Sequence, residues 1–203
     1  GSALTSHDAI AGVAFTGSTP TAQRINVSLA SRTAKPVPFI AETGGQNAMI
    51  VDSSSLPEQV TRDVVASAFQ SAGQRCSALR MLYLQDDIYD ETLAMIYGAF
   101  EALDIGDPVN LATDVGPVID PDAKAALERH IARRKKAGRK VWRRKLPKGT
   151  GAGCFVAPTI IELDSILDLK RENFGPVLHV ARFPAEGLEQ VIDDINTTAT
   201  IRY

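Results

Sequence analysis

Two rhythms of apolar and polar residues run through this chain. Val60, Val64, Ala68 and Ala72 recur every fourth residue, the spacing that gathers side chains on one helical face. Ser55 and Glu58 stand ahead of them in the pattern of a capping box, and Gly73 is placed to end the helix. Leu93, Ile96, Tyr97, Phe100 and Leu103 carry a second helical period. Asp120-Pro121 opens a third helix that ends near Gly138, and a last one starts at about Glu186. Near the start, Thr19 can cap a helix with Pro20 at its first position, running to about Ala30. The other rhythm is a set of short apolar runs: Gly12–Thr16, Asn47–Val51, Leu79–Leu84, Phe155–Leu163 and Val177–Phe183. These read as strands, with the Pro-punctuated stretch Lys35–Pro38 lying between the first two. Strands alternating with helices predict an α/β architecture.

Composition narrows the class more than it identifies a function. At 203 residues with 44 % hydrophobic and 23 % charged positions, the chain can bury one large core or two small ones. A net charge of -2 gives no reason to expect nucleic acid or an anionic membrane as partner. No apolar run approaches the ~18 residues of a membrane span. Two cysteines far apart make no disulfide framework, which favours a reducing cytoplasm. His7, His130 and His179 show no metal-ligand spacing, so no metal site is expected. The opening Gly1-Ser2 reads as a cleavage scar. An unpartnered strand–helix unit at residue 12 and the ending after Thr197 read as cuts, making the chain a piece of a longer polypeptide.

Four short motifs carry candidate chemistry, and each also has a plain structural reading. Gly73-Gln-Arg-Cys76-Ser-Ala-Leu79 sets a cysteine in a turn between helix and strand, where sulfur can face a cleft; a packed structural thiol is the commoner case. Arg75 favours its thiolate, while the negative end of the preceding helix opposes it. Ala41-Glu-Thr-Gly-Gly-Gln-Asn47 pairs an acid with two glycines that allow close backbone approach, or is simply a surface turn with Glu42 solvated. Glu172-Asn-Phe-Gly-Pro-Val177 puts an acid and an aromatic ahead of a Gly-Pro turn, or is merely a loop. Phe15-Thr-Gly-Ser-Thr19 brings glycine and hydroxyls to a helix N-terminus, where phosphate groups bind, although most such termini are ordinary turns.

Taken together, in this order and with Cys76 falling 34 residues after Glu42, the four motifs resemble the aldehyde dehydrogenase superfamily over roughly residues 10–198. The stretches Ile40–Asp52, Ser67–Arg80 and Phe174–His179 look most like the Δ1-pyrroline-5-carboxylate dehydrogenase part of the bifunctional proline-utilisation flavoproteins, a family that oxidises L-glutamate γ-semialdehyde to glutamate. The resemblance implies an open, twisted, mainly parallel sheet with flanking helices. Residues 1–45 would be the remnant of a dinucleotide-binding domain and residues 46–203 a catalytic domain truncated at its C-terminus. It also implies roles. Cys76 is the nucleophile that passes through a hemithioacetal to a thioester, and Glu42 is the general base that activates water. The Cys76 N–H is one oxyanion donor. Gly17 and Ser18 contact the pyrophosphate of NAD, Glu172 holds the nicotinamide ribose, and Phe174 packs near the nicotinamide. Arg75 and Ser77 hold the substrate's α-carboxylate.

Departures from the pattern are Pro20, where many members carry glutamate, and the ending Ala-Thr-Ile-Arg-Tyr203, where the family continues into a Gly-containing strand. The family's N-terminal cofactor strands and C-terminal anchoring loop are also missing, so the isolated piece is expected to be inactive. FAD would belong only to a separate proline dehydrogenase domain of the parent, which would be a cytoplasmic homo-oligomer.

Rival readings remain beside this one: an aldehyde dehydrogenase of other substrate, a catalytically dead scaffold, and a nucleic-acid-binding module. The last rests on residues 129–148, which hold 11 of the 22 Lys and Arg residues; the plainer reading is a solvated helix face leading into an edge strand, since Trp142 is the only aromatic there. Cys154 is expected to pack as a core thiol, His179 to be a buried, hydrogen-bonded strand residue, and His130 to lie on the helix after Asp120.

Overall fold

The computed structural model describes residues 1–33 and 35–200; the divergent ending at residues 201–203 lies outside them. Two compact units divide the chain, Gly1–Gly45 and Gln46–Tyr203.

The smaller unit begins with one helical turn, α1 (Ser2–Thr5), and continues as strand β1 (Val13–Thr16), helix α2 (Thr19–Ala30) and strand β2 (Phe39–Glu42). Both strands run parallel, from Val13 against Phe39 to Thr16 against Glu42, so helix α2 is the crossover between them. Sequence patterning missed β2. Its four residues follow Pro36 and Pro38, and only the ladder to β1 makes them a strand. The N-cap of α2 is Ser18 rather than Thr19, and its hydroxyl pairs with Thr21 Oγ1 at 2.9 Å instead of capping the backbone.

In the larger unit, strands β3 (Ala48–Val51), β4 (Met81–Gln85), β5 (Val141–Arg143), β6 (Thr159–Glu162) and β7 (Val177–Phe183) form one sheet in the order β3-β4-β7-β6-β5. All neighbours are parallel except β5, an antiparallel edge. Helices α3 (Pro57–Phe69), α4 (Asp86–Glu101), α5 (Pro121–Lys136) and α6 (Leu188–Thr200) complete an α/β fold with a mainly parallel sheet, as the alternating pattern predicts. Residues Val177–Ala181 of the central strand β7 are all buried. Successive side chains of a strand point to opposite faces, so this sheet is covered on both. Phe69 and Phe100, with ring centroids 5.3 Å apart, join α3 to α4 in the core.

Local chemistry explains where the elements start. Asp120 accepts a hydrogen bond from the Ala123 N–H at 2.7 Å and caps α5, with Pro121 just inside. The capping box expected at Ser55 does not form: Ser55 Oγ donates to the Asp52 carbonyl at 2.8 Å, and the N-cap is Leu56. Pro57, with its fixed φ, takes the first helical position and sets the boundary there. Helix α3 also ends earlier than the apolar period suggests, at Phe69. Strand β6 begins at Thr159 because Pro158 has no N–H to give the ladder, although Phe155–Ala157 are buried.

Candidate active site

Past Phe69 the chain makes a tight turn, Gln70–Gly73, in which Ser71, Ala72 and Gly73 have φ of +54°, +51° and +63°. Left-handed backbone is costly for Ser71 and Ala72, and persists only where surroundings over-determine it. Glycine is required at the third position. A Cβ on Gly73 would lie 2.3 Å from the Gly175 carbonyl oxygen, so the two backbones touch. Cys76 follows, exposed, in the loop that leads into β4. Asn47, at the entry to β3, donates from Nδ2 to the carbonyls of Cys76 (2.6 Å) and Ala78 (2.8 Å). Gln74 is tied by both ends of its amide, to the Pro117 carbonyl (3.2 Å) and the Ile119 N–H (2.8 Å). The Cys76 N–H has no partner among the described residues.

The Glu172–Val177 turn lies against this loop. Sequence reasoning passed over the residue that joins them, Arg80. Its side chain is 1 % exposed and forms an ion pair with Glu172 at 3.1 Å. The same guanidinium donates to the carbonyls of Gly73 (2.6 Å), Arg75 (3.1 Å) and Gly175 (3.4 Å), and its carbon stands 5.1 Å from the Phe174 ring centroid. Burial pulls the Arg80 pKa down, while Glu172 and then Cys76 pull it back up. A charged residue inside the apolar run Leu79–Leu84 was the available signal, since a buried cation needs a partner.

Of the residues singled out in the sequence, Cys76, Glu172 and Phe174 therefore belong to one cluster. Glu172 is half-buried, with Oε1 given to Arg80; Phe174 is 42 % exposed. Ser77 is exposed beside Cys76. Arg75 turns back onto helix α3, donating from Nη2 to the Ala66 carbonyl at 3.1 Å. In the smaller unit, Gly17 and Glu42 meet at the C-terminal end of the parallel pair, where the Gly17 N–H donates to the Glu42 carbonyl at 3.1 Å. Ser18 stands next, at the N-terminus of α2. Glycine at 17 leaves room for the Phe15 ring, whose tip would be 2.5 Å from a Cβ there.

A second buried pair was not anticipated. His179 on β7 and His130 on α5 meet Nε2 to Nε2 at 2.9 Å, and His179 Nδ1 lies 2.8 Å from the Arg80 carbonyl. A carbonyl only accepts, so Nδ1 carries the proton, and His179 Nε2 receives the N–H of His130. Burial lowers the pKa of His179 to about 4 and that of His130 to about 3, so both are neutral near pH 7. His179 is thus the buried, hydrogen-bonded strand residue expected and His130 lies on the helix after Asp120, but the burial of His130 and its pairing with His179 were not foreseen. Cys154 is half-buried against the core.

The basic stretch is spread along α5 and the edge strand β5. Arg139 pairs with Asp164 (2.6 Å) and Asp168 (3.1 Å), Lys140 with Glu162 (3.2 Å), and Arg143 with Glu128. Among the described residues no group of His, Cys, Asp and Glu could hold a metal ion, and no helix is long and apolar enough to cross a membrane.

A loop-borne cysteine with a free N–H, an acid-and-aromatic turn beside it, and a glycine turn at a helix N-terminus agree with the sequence match. The chain belongs to the aldehyde dehydrogenase family, whose model matches residues 1–200. Among its relatives, the Bifunctional protein PutA of Escherichia coli (strain K12) is 52 % identical over 206 residues, covering 98 % of this chain and 16 % of that protein. A 1-pyrroline-5-carboxylate dehydrogenase of Geobacillus kaustophilus is 31 % identical, covering 98 % of this chain and 39 % of the relative. A crystal structure of Bradyrhizobium japonicum Proline Utilization A superposes with a TM-score of 0.90 at 52 % identity, over 97 % of this chain and 20 % of that one. The chain thus spans about a sixth of the length of the curated relatives it matches first.

Proposed function

We propose that this chain is a segment of a longer NAD-dependent dehydrogenase that oxidises L-glutamate γ-semialdehyde to L-glutamate, and that it supplies the nucleophile, the general base and part of the cofactor site. The observation that carries the reading is the exposed Cys76, held in a loop whose neighbouring carbonyls are tied down while its own N–H is left free. Family membership and the names of the relatives support the substrate class.

The residues present fit a nicotinamide dinucleotide. Among the described residues Glu172 keeps one carboxylate oxygen without a partner, suited to ribose hydroxyls, and the exposed Phe174 ring offers an apolar face beside it. Gly17 and Ser18 sit at the N-terminus of a twelve-residue helix, where backbone N–H groups and the helix dipole favour phosphate. When bound, the dinucleotide supplies the two-electron acceptor.

Within that frame the side chains divide the work. Cys76 attacks the aldehyde carbon as thiolate, and the tetrahedral oxyanion meets the Cys76 N–H. Oxidation of that adduct leaves a thioester on Cys76. Glu42 takes a proton from water, which attacks the thioester carbonyl and releases the carboxylic acid and the thiolate. Among the described residues a terminal nitrogen of Arg75 has no bond, and with the Ser77 hydroxyl it offers donors for the substrate's α-carboxylate. Residues 1–45 act as the end of a dinucleotide-binding domain. The longer polypeptide is a cytoplasmic homo-oligomer that holds FAD, if at all, in a separate proline dehydrogenase domain. Ion pairs at Arg139, Lys140, Arg143 and Arg144 favour a solvated face over a nucleic-acid surface for the basic stretch.

The full-length polypeptide should reduce NAD with glutamate semialdehyde at least about a hundredfold more efficiently, in kcat/KM, than with propionaldehyde. Equal efficiencies would defeat the substrate assignment. Cys76→Ser should lower kcat at least about a thousandfold with unchanged circular dichroism; full activity in that variant would defeat the nucleophile assignment.

A further inference from the structure

Resting on the reading just given, we propose that Arg80 is the positioning residue of the site: one buried guanidinium binds the Cys76 loop to the Glu172–Gly175 turn, so that nucleophile and cofactor-holding carboxylate are set by the same group. Four acceptors converge on it, the carbonyls of Gly73, Arg75 and Gly175 and the Oε1 of Glu172. Two of these belong to the nucleophile loop and two to the other turn. Three nitrogens serve them, which a planar fork can do and an ammonium, with all its donors on one atom, cannot.

The base of this clamp is rigid. The Arg80 N–H donates to the Asn47 carbonyl at 3.0 Å, ahead of β3, and the Arg80 carbonyl accepts from the His179 N–H at 3.0 Å and from the ring of the same histidine. Asn47 returns to the loop through its side chain, which holds the carbonyls of Cys76 and Ala78. The guanidinium thus projects from the head of β4, where the backbone is bonded to the segments of β3 and β7, into two loops. It also accounts for the left-handed run at Ser71–Gly73. That backbone needs outside restraint, and the shortest bond the guanidinium makes, 2.6 Å, is the one to the Gly73 carbonyl. Glu172 is oriented by the same bonds, since Nε and Nη2 both donate to its Oε1.

The test is Arg80→Lys in the full-length polypeptide, which keeps the charge and loses the fork. Amide hydrogen exchange in peptides covering residues 71–79 and 171–176 should accelerate together by about tenfold, while residues 81–85 and 177–183 keep their protection. The KM for NAD should rise about tenfold and kcat should fall, with the KM for glutamate semialdehyde within about twofold of the parent. A merely structural loss would lower the active fraction and leave both KM values alone. Parent-like exchange and KM values in folded Arg80→Lys overturn the clamp while leaving Cys76 as nucleophile; an active Cys76→Ser measured alongside overturns the underlying reading instead. Should Arg80→Lys not fold, Glu172→Ala removes an acceptor without touching the nucleophile loop. Faster exchange at residues 71–79 then supports the clamp, and unchanged exchange there overturns it.

Discussion

Acid should unfold this protein through the His130–His179 pair before its carboxylates are protonated. Each histidine is neutral in the fold, His179 with its pKa lowered to about 4 and His130 to about 3, chiefly by burial, with Arg80, Arg133, Arg134 and Arg171 adding positive potential. In the unfolded chain both return to about 6.5. Between these values the unfolded state binds more protons, so stability is present above pH 6.5 and is lost as pH falls. For His179 alone, the change from pH 7 to pH 5 is worth about 2 kcal/mol, and His130 acts in the same direction, for a total of up to about 4 kcal/mol. The geometry explains why a proton is unwelcome. With Nδ1–H on the Arg80 carbonyl, protonation of His179 puts N–H on both facing Nε2 atoms, and His130 must change tautomer to accept it. Urea unfolding of the chain at pH 7, 6, 5.5 and 5, followed by the fluorescence of Trp142, its single tryptophan, measures the loss. Replacing both histidines with leucine should flatten the curve over this range. The Arg80 carbonyl stays satisfied by the His179-position N–H, so the double variant should lose little at pH 7. Equal unfolding free energies at pH 7 and 5 in the parent chain, or the same slope in the variant, would refute the reasoning.

Other outcomes follow from the loop and the base. Gly73→Ala should lower stability by about 3 kcal/mol or more, measured from the urea midpoint, because alanine at φ +63° places a methyl 2.3 Å from a backbone oxygen. A change under about 1 kcal/mol would mean that the two turns do not touch in solution. In the full-length polypeptide, Glu42→Gln should slow steady-state turnover at least about a hundredfold while the first-turnover burst of cofactor reduction is largely kept. Equal loss in both phases would remove Glu42 as the base.

Much of the fold was legible because local chemistry decides it. Asp120-Pro121 caps and starts α5 where the pattern places it, and the apolar run Val177–Phe183 is a central strand with the bounds read from sequence. The candidate site was legible in another way: four modest motifs mean little singly, but their order and spacing carry a family. Boundaries fared less well wherever a proline or a glycine contact intervened, as at Leu56, at Phe69 and at Thr159.

By itself, then, the sequence determined most of the helices and strands and the family to which the motifs belong, since side-chain period, caps and motif spacing are short-range properties of the chain. Tertiary structure alone decided what those residues touch. Arg80 and Glu172 are 92 residues apart, and His130 and His179 are 49 apart. Burying a guanidinium or an imidazole is unfavourable until a distant partner arrives, and no periodicity along the chain records which partner that is. The strand Phe39–Glu42 and the left-handed turn at Ser71 and Ala72 are of the same kind. Neither is favoured by its own residues, and both exist because a neighbouring segment supplies the hydrogen bonds that hold them.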